Sequence, residues 1–188
     1  MCGRYTITVS LEEILRTFSV DDVEYDYSKQ FNIAPTQTVP AIVEWEGRRA
    51  LQGFKWGLIP FWSKDTKIAY KTINARAEGI DKKPAFRHLL KGSRILIVSN
   101  GFYEWKQENE GKQPYRFQLE SRGSFGFAGL YDIWRNEKGT EIRSSTIITT
   151  KPNRLVEEVH DRMPVILTGD TACKWLDPDL SETRHVLE

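Results

Sequence analysis

The stretch Arg94-Ile95-Leu96-Ile97-Val98-Ser99-Asn100-Gly101-Phe102-Tyr103-Glu104-Trp105-Lys106 decides the fold class. Apart from Arg94 its first five residues are apolar and mostly β-branched, too short a run for a buried helix and typical of a strand covered on both faces. Gly101 then reads as a bulge, past which Phe102 to Lys106 continues as strand. Working outward, Val39 to Trp45 and Ala50 to Leu58 read as strands joined at Glu46-Gly47-Arg48. Tyr115 to Leu119, Phe125 to Trp134 and Ile142 to Thr149 follow, separated by Arg122-Gly123 and Lys138-Gly139 turns, with Glu108 to Gln113 as a hairpin tip. Helices are few. Ser10-Leu11-Glu12-Glu13 reads as a capping box ahead of Leu11, Ile14, Leu15 and Phe18 at helical spacing. Pro84 to Leu90, Pro152 to Val159 and Asp170 to Leu176 read as short helices, and Pro164 to Leu167 as a last strand. The pattern predicts an α+β domain: a curved, mostly antiparallel sheet or partly closed β-barrel core with a few short peripheral helices.

The 188 residues suit one domain, and no linker or repeat divides them. No run approaches the roughly 18 apolar residues that cross a bilayer, and Met1-Cys2-Gly3-Arg4-Tyr5 lacks the apolar segment of a signal peptide, so a cytoplasmic protein without membrane contact is expected. The formal net charge of +1 announces no nucleic-acid binder, so any DNA-binding charge must be local to one groove. Two cysteines, Cys2 and Cys173, exclude a disulfide scaffold, and the spacing of His88, His160 and His185 offers no zinc motif. No metal or other cofactor is expected.

Cys2 is the most informative residue. If Met1 is removed, Cys2 presents an α-amine and a thiol on adjacent carbons. An α-amine has a pKa of about 7.7–8.0, so part of it is a free nucleophile at neutral pH. The amine can condense with an aldehyde to an imine, which the thiol can close to a five-membered thiazolidine. An internal cysteine, whose nitrogen is an amide, cannot do this. The competing reading is a small residue buried for packing. Asn74, Glu104 and His160 are the residue types expected around an activated carbonyl: an orienting amide, a carboxylate for proton transfer and a histidine for acid–base work. Each also has an ordinary structural reading, as turn residue, strand carboxylate and capping histidine. Arg4, Arg76 and Arg162 each lie two residues after Cys2, Asn74 and His160. In extended backbone, i and i+2 share a face, so three guanidinium groups would line the site, where they could meet phosphates or be plain surface arginines. In Trp56-Gly57-Leu58-Ile59-Pro60-Phe61-Trp62, Trp62 is expected to be partly exposed, as a ring on which a base can stack, and Trp56 to be core.

Met1-Cys2-Gly3-Arg4, Tyr27 to Pro35, Trp56 to Pro60, Ile73 to Glu78, Gly101 to Trp105 and His160 to Pro164 together resemble, in order and spacing, the SOS-response-associated peptidase (SRAP) family. The resemblance runs from residue 2 to about residue 176. It implies a barrel-like α+β fold and a covalent sensor of abasic sites in single-stranded DNA, active in DNA repair as a monomer and nucleoid-associated when bound. Carried over by motif, Cys2 is the nucleophile, Asn74, Glu104 and His160 surround it, and Arg4, Arg76 and Arg162 lie near the DNA backbone. Two departures stand out. The family's tail is often longer, so the single domain 1–188 is expected to be truncated near Glu188. Phe61-Trp62-Ser63 also carries fewer rings than a Trp-Trp pair, leaving the stacking ring open. The alternatives are a thiol peptidase or self-processing enzyme using Cys2 with His160 and Glu104, and a non-covalent single-stranded DNA binding module. A lyase activity accompanies the first reading if the imine persists.

Overall fold

The long apolar runs form the wall of a closed barrel. The computed structural model describes residues 2–109, 111–180 and 183–187, Arg184 by its backbone alone. Met1, whose removal the chemistry expected of Cys2 requires, lies outside the described residues. In chain order the strands are β1 (Arg4–Ile7), β2 (Asp22–Val23), β3 (Gln30–Ile33), β4 (Thr38–Trp45), β5 (Arg48–Trp56), β6 (Asn74–Arg76), β7 (Arg94–Ser99), β8 (Gly101–Glu108), β9 (Gly111–Phe117), β10 (Phe125–Arg135), β11 (Glu141–Thr150), β12 (Met163–Pro164) and β13 (Ile166–Leu167). The helices are α1 (Leu11–Phe18), α2 (Arg154–Glu157), α3 (Gly169–Leu176) and α4 (Arg184–Leu187). None among the described residues is long and apolar enough to cross a membrane.

Antiparallel pairing runs β5-β4-β7-β10-β11, and a parallel contact of β11 with β5, Ser144↔Lys55 and Ser145↔Trp56, closes the circle. The barrel expected to be partly closed is thus closed, by this short parallel seam. The wall is close-packed: a Cβ added at Gly126 would lie 2.1 Å from Leu96 Cγ, so only glycine lets the neighbouring strand's leucine fill that space. A second sheet, β3-β1-β8-β9, lies against the barrel. Its Tyr5 meets Trp56 and Phe127 edge-on at 5.3 and 5.5 Å, and Phe102 reaches Phe127 at 6.2 Å.

Gly101 is not a bulge within one strand. β7 belongs to the barrel and β8 to the second sheet, so the chain changes sheets at Asn100. The buried Asn100 makes that corner: its Oδ1 accepts from Thr8 N–H at 3.0 Å and Thr6 Oγ1 at 3.1 Å, and its Nδ2 donates to Thr8 Oγ1 at 2.7 Å. An amide that replaces ladder partners on both sides lets a strand leave its sheet without stranding polar backbone.

Helix ends also differ from expectation. Ser10 Oγ accepts the Glu13 N–H at 3.1 Å, but the Glu13 carboxylate accepts from Ser124 N–H at 3.0 Å, tying α1 to the start of β10 in place of the reciprocal cap. α2 begins after Asn153, whose side chain takes the Val156 N–H at 2.9 Å, and is shorter than Pro152 to Val159. Residues 84–90 form tight turns ending in a 3-10 turn at Leu89–Lys91; the buried Phe86 and Leu89, three apart, meet the core at that tighter pitch. Pro164 to Leu167 divides at Val165, whose N–H bonds Ile148 and whose carbonyl accepts from Ala128, so β12 joins β11 while β13 joins β10.

Candidate active site

The site forms where short strands meet the end of β11. On one side β11 leaves β5 and takes β6 as its parallel neighbour, with Ile147↔Asn74 and Thr149↔Arg76; on the other, Thr149 faces Pro164 of β12. β6 therefore delivers Asn74, and β12 follows directly on the segment that holds His160. In the second sheet, β1 pairs β8 through Arg4↔Tyr103 and Tyr5↔Phe102. Glu104 lies two residues beyond Phe102, on the same inward face, which is why a carboxylate is buried there.

Four expected site residues come together. Cys2 is fully buried, and its carbonyl accepts a 2.9 Å hydrogen bond from Asn74 Nδ2. Asn74 Oδ1 is buried with no hydrogen-bond partner among the described residues. His160 Nε2 lies 3.8 Å from Glu104 Oε2, and the imidazole is about a quarter exposed. Burial pushes the Glu104 carboxyl up, against the pull of His160. Burial, and then the Glu104 charge, push the Cys2 thiol far above its ordinary value. The sulfur is thus held as S–H here, beside a carboxyl whose hold on its proton is strengthened by burial.

The basic and aromatic residues divide. Arg76 is exposed on β6 and makes no ion pair among the described residues. Arg4 is half-buried, and its Nη1 donates to Asn32 Oδ1 at 2.9 Å. Arg162 is turned inward: Nη1 and Nη2 donate to the two Glu78 carboxylate oxygens at 2.7 and 2.8 Å, and Nη2 also reaches the Thr149 carbonyl at 2.6 Å. The i+2 geometry fails at 160–162 because Arg162 N–H folds back onto His160 Nδ1, which bends the backbone out of extension. Trp62 is about half exposed and Trp56 fully buried, as expected. Trp62 sits on a loop pinned to the barrel by Asp132, which accepts from Phe61 N–H at 2.9 Å, and by Trp134, which donates to the Ser63 carbonyl at 2.8 Å.

Glu78 and Asn100 carry weight that the sequence reading did not give them. Glu78 ends the very motif that holds Asn74 and Arg76; an acid among basic residues was a signal for an ion pair. A cleft of about 820 Å³ lies beyond Glu78, lined also by Ile80, Lys151, Met163 and Val186, but it touches none of the four site residues. The clustered polar groups lie apart from this cleft.

The domain is a closed barrel flanked by a second sheet, with a buried cysteine beside an amide, a carboxyl and an imidazole. The chain belongs to the SRAP family: it matches the family described as SOS response associated peptidase over residues 1–188. It is 45% identical to the abasic site processing protein YoqW of Bacillus subtilis (strain 168), over 99% of this chain and 84% of that protein. It is 30% identical to the abasic site processing protein HMCES of Xenopus tropicalis, over 100% of this chain and 69% of the relative. A crystal structure of a protein from Bacteroides thetaiotaomicron superposes with a TM-score of 0.89 at 30% identity, covering 98% of this chain and 85% of the other.

Proposed function

We propose that this protein processes abasic sites in single-stranded DNA by bonding to them covalently through Cys2. The observation that carries the proposal is the hydrogen bond from Asn74 to the Cys2 carbonyl, which holds residue 2 in the same pocket as the Glu104–His160 pair. The names of the relatives, abasic site processing proteins, supply the substrate class.

Removal of Met1 converts the Cys2 nitrogen from amide to amine. The amine adds to the aldehyde carbon of the ring-opened abasic sugar, forming a C–N bond and a carbinolamine hydroxyl. His160 and Glu104 supply the proton with which that hydroxyl leaves as water, giving an imine. The Cys2 S–H then adds across the C=N bond: sulfur bonds the carbon and the proton ends on nitrogen. Aldehyde and aminothiol have become thiazolidine and one water, with no change in oxidation state. Ring closure removes the imine, whose electron withdrawal would otherwise promote strand cleavage by β-elimination; a lyase activity is the expected side reaction when closure fails.

Arg76 and Arg4 hold flanking phosphates in this reading, Trp62 stacks on a base, and Arg162, already paired with Glu78, adds little net charge. The thiol peptidase alternative would use Cys2 as a thiolate nucleophile and needs neither the arginines nor the exposed ring. The test is incubation with a single-stranded oligonucleotide carrying one abasic site. The expected result is a band that resists denaturation; peptide turnover without that band, or only a reversible complex, would replace this reading with one of the alternatives.

A further inference from the structure

His160 lies in irregular backbone between α2 and β12, where no regular element fixes it. Its Nδ1 accepts the Arg162 backbone N–H at 3.0 Å. A neutral imidazole that accepts at Nδ1 carries its proton on Nε2, the atom 3.8 Å from Glu104 Oε2. The position of the Arg162 backbone therefore decides which nitrogen faces Glu104.

Arg162 is itself held. Its guanidinium grips the Glu78 carboxylate with both Nη atoms and donates to the Thr149 carbonyl of β11, and only 11% of its side chain is exposed. Glu78 follows β6, the strand that delivers Asn74. A single ion pair thus ties the segment holding His160 to the strand holding the amide that anchors Cys2. A two-pronged arginine–carboxylate contact fixes direction as well as distance.

We infer that Glu78 and the Arg162 side chain form a positioning clamp that sets the tautomer and placement of His160 toward Glu104. The inference rests on the proposed reaction at Cys2 and gives Arg162 a task other than gripping phosphate. Among the described residues, the charged groups within 4 Å of the imidazole are Glu104 and Asp161, whose Oδ1 lies 3.0 Å from Nδ1 on a side chain that is mostly exposed. Protonation of Nδ1 would exchange the Arg162 N–H for Asp161, so the clamp acts on the neutral ring.

The test uses the full chain with Met1 removed and an abasic oligonucleotide. For Glu78→Gln and Arg162→Lys, the single-turnover crosslinking rate at saturating protein should fall by about tenfold or more near neutral pH, as for a displaced acid–base group. Affinity for an intact single strand should stay close to that of the wild type. In a His160→Gln background, Glu78→Gln should cause no further loss, because both act through one imidazole. A wild-type rate in Glu78→Gln, fully additive losses, or tighter DNA binding at an unchanged rate would overturn the clamp; the last would mean that Glu78 masks Arg162 from phosphate. Nitrogen-15 spectra of histidine in the wild type keep the test open should the variants not fold: the Nε2–H tautomer is expected for His160, and Nδ1–H would refute it. These spectra read the clamp without any crosslink. Failure of the wild type to crosslink would count against the covalent reaction, not against the tautomer.

Discussion

The barrel wall and the Cys2 pocket use strands in contrasting ways. β4, β5, β7, β10 and β11 pair along most of their length and bury nearly continuous apolar faces, so each residue is held by many weak contacts. The pocket draws on β1, β6 and the start of β8, where a few polar contacts place each group: the Asn74 amide on the Cys2 carbonyl, Glu104 and the Arg162 N–H at His160, and the Glu78–Arg162 ion pair behind it. Stability and chemistry are therefore separable: substitutions in the wall should unfold the protein, and substitutions in the pocket should disarm it while it stays folded.

The sharpest break in that contrast is Cys2→Ala. It should abolish the heat-stable crosslink while costing about 1 kcal/mol or less in thermal unfolding, the loss of one small buried atom. Its α-amine remains, so borohydride should still trap an imine, with more strand cleavage than in the wild type. Phe127→Ala should do the reverse. Phe127 touches Tyr5, Phe102 and Phe125, and its truncation should cost about 3–5 kcal/mol by calorimetry. Its folded fraction should crosslink normally at low temperature. Equal stability losses in the two variants would erase the distinction.

Asn100→Ala probes the seam between the two regions. Thr8 N–H loses its acceptor and the Thr6 hydroxyl keeps only the Gly101 carbonyl, so unfolding should be easier by about 1–3 kcal/mol. Because β8 carries Glu104 away from this corner, crosslinking should slow as well, unlike in Phe127→Ala; a change in stability alone would mean that the corner does not set the pocket. The smallest effect is expected from Arg76→Ala, which should weaken single-strand binding and flatten its logarithmic salt dependence by about 0.7, one phosphate contact. An unchanged slope would remove Arg76 from the DNA path.

The same contrast explains what the sequence disclosed. Long strands announce themselves because period-two alternation and apolar runs repeat over many residues, and those strands lie within a few residues of where the pattern put them. β1, β3 and β6 are too short to show a period, although they position Cys2 and Asn74. Gly101 suggested a bulge because a local reading cannot see that Asn100 bonds to Thr6 and Thr8, more than ninety residues away in sequence. For the site, Cys2 was legible from its position, and Asn74, Glu104 and His160 from residue types suited to an activated carbonyl; the family resemblance added that they surround Cys2. Their contacts, and the role of Glu78, depend on β11 bringing β6 and β12 to one place.

The most direct measurement is the intact mass and heat stability of the adduct formed on an abasic oligonucleotide by the Met1-free protein, compared with the same protein acetylated at the Cys2 nitrogen. The free amine should give a denaturation-resistant adduct whose mass is the sum of protein and oligonucleotide less one water, while the acetylated protein, its thiol intact, should give none. An acetylated protein that crosslinks as fast as the free one would contradict the aminothiol reaction and leave Cys2 as a simple thiol nucleophile.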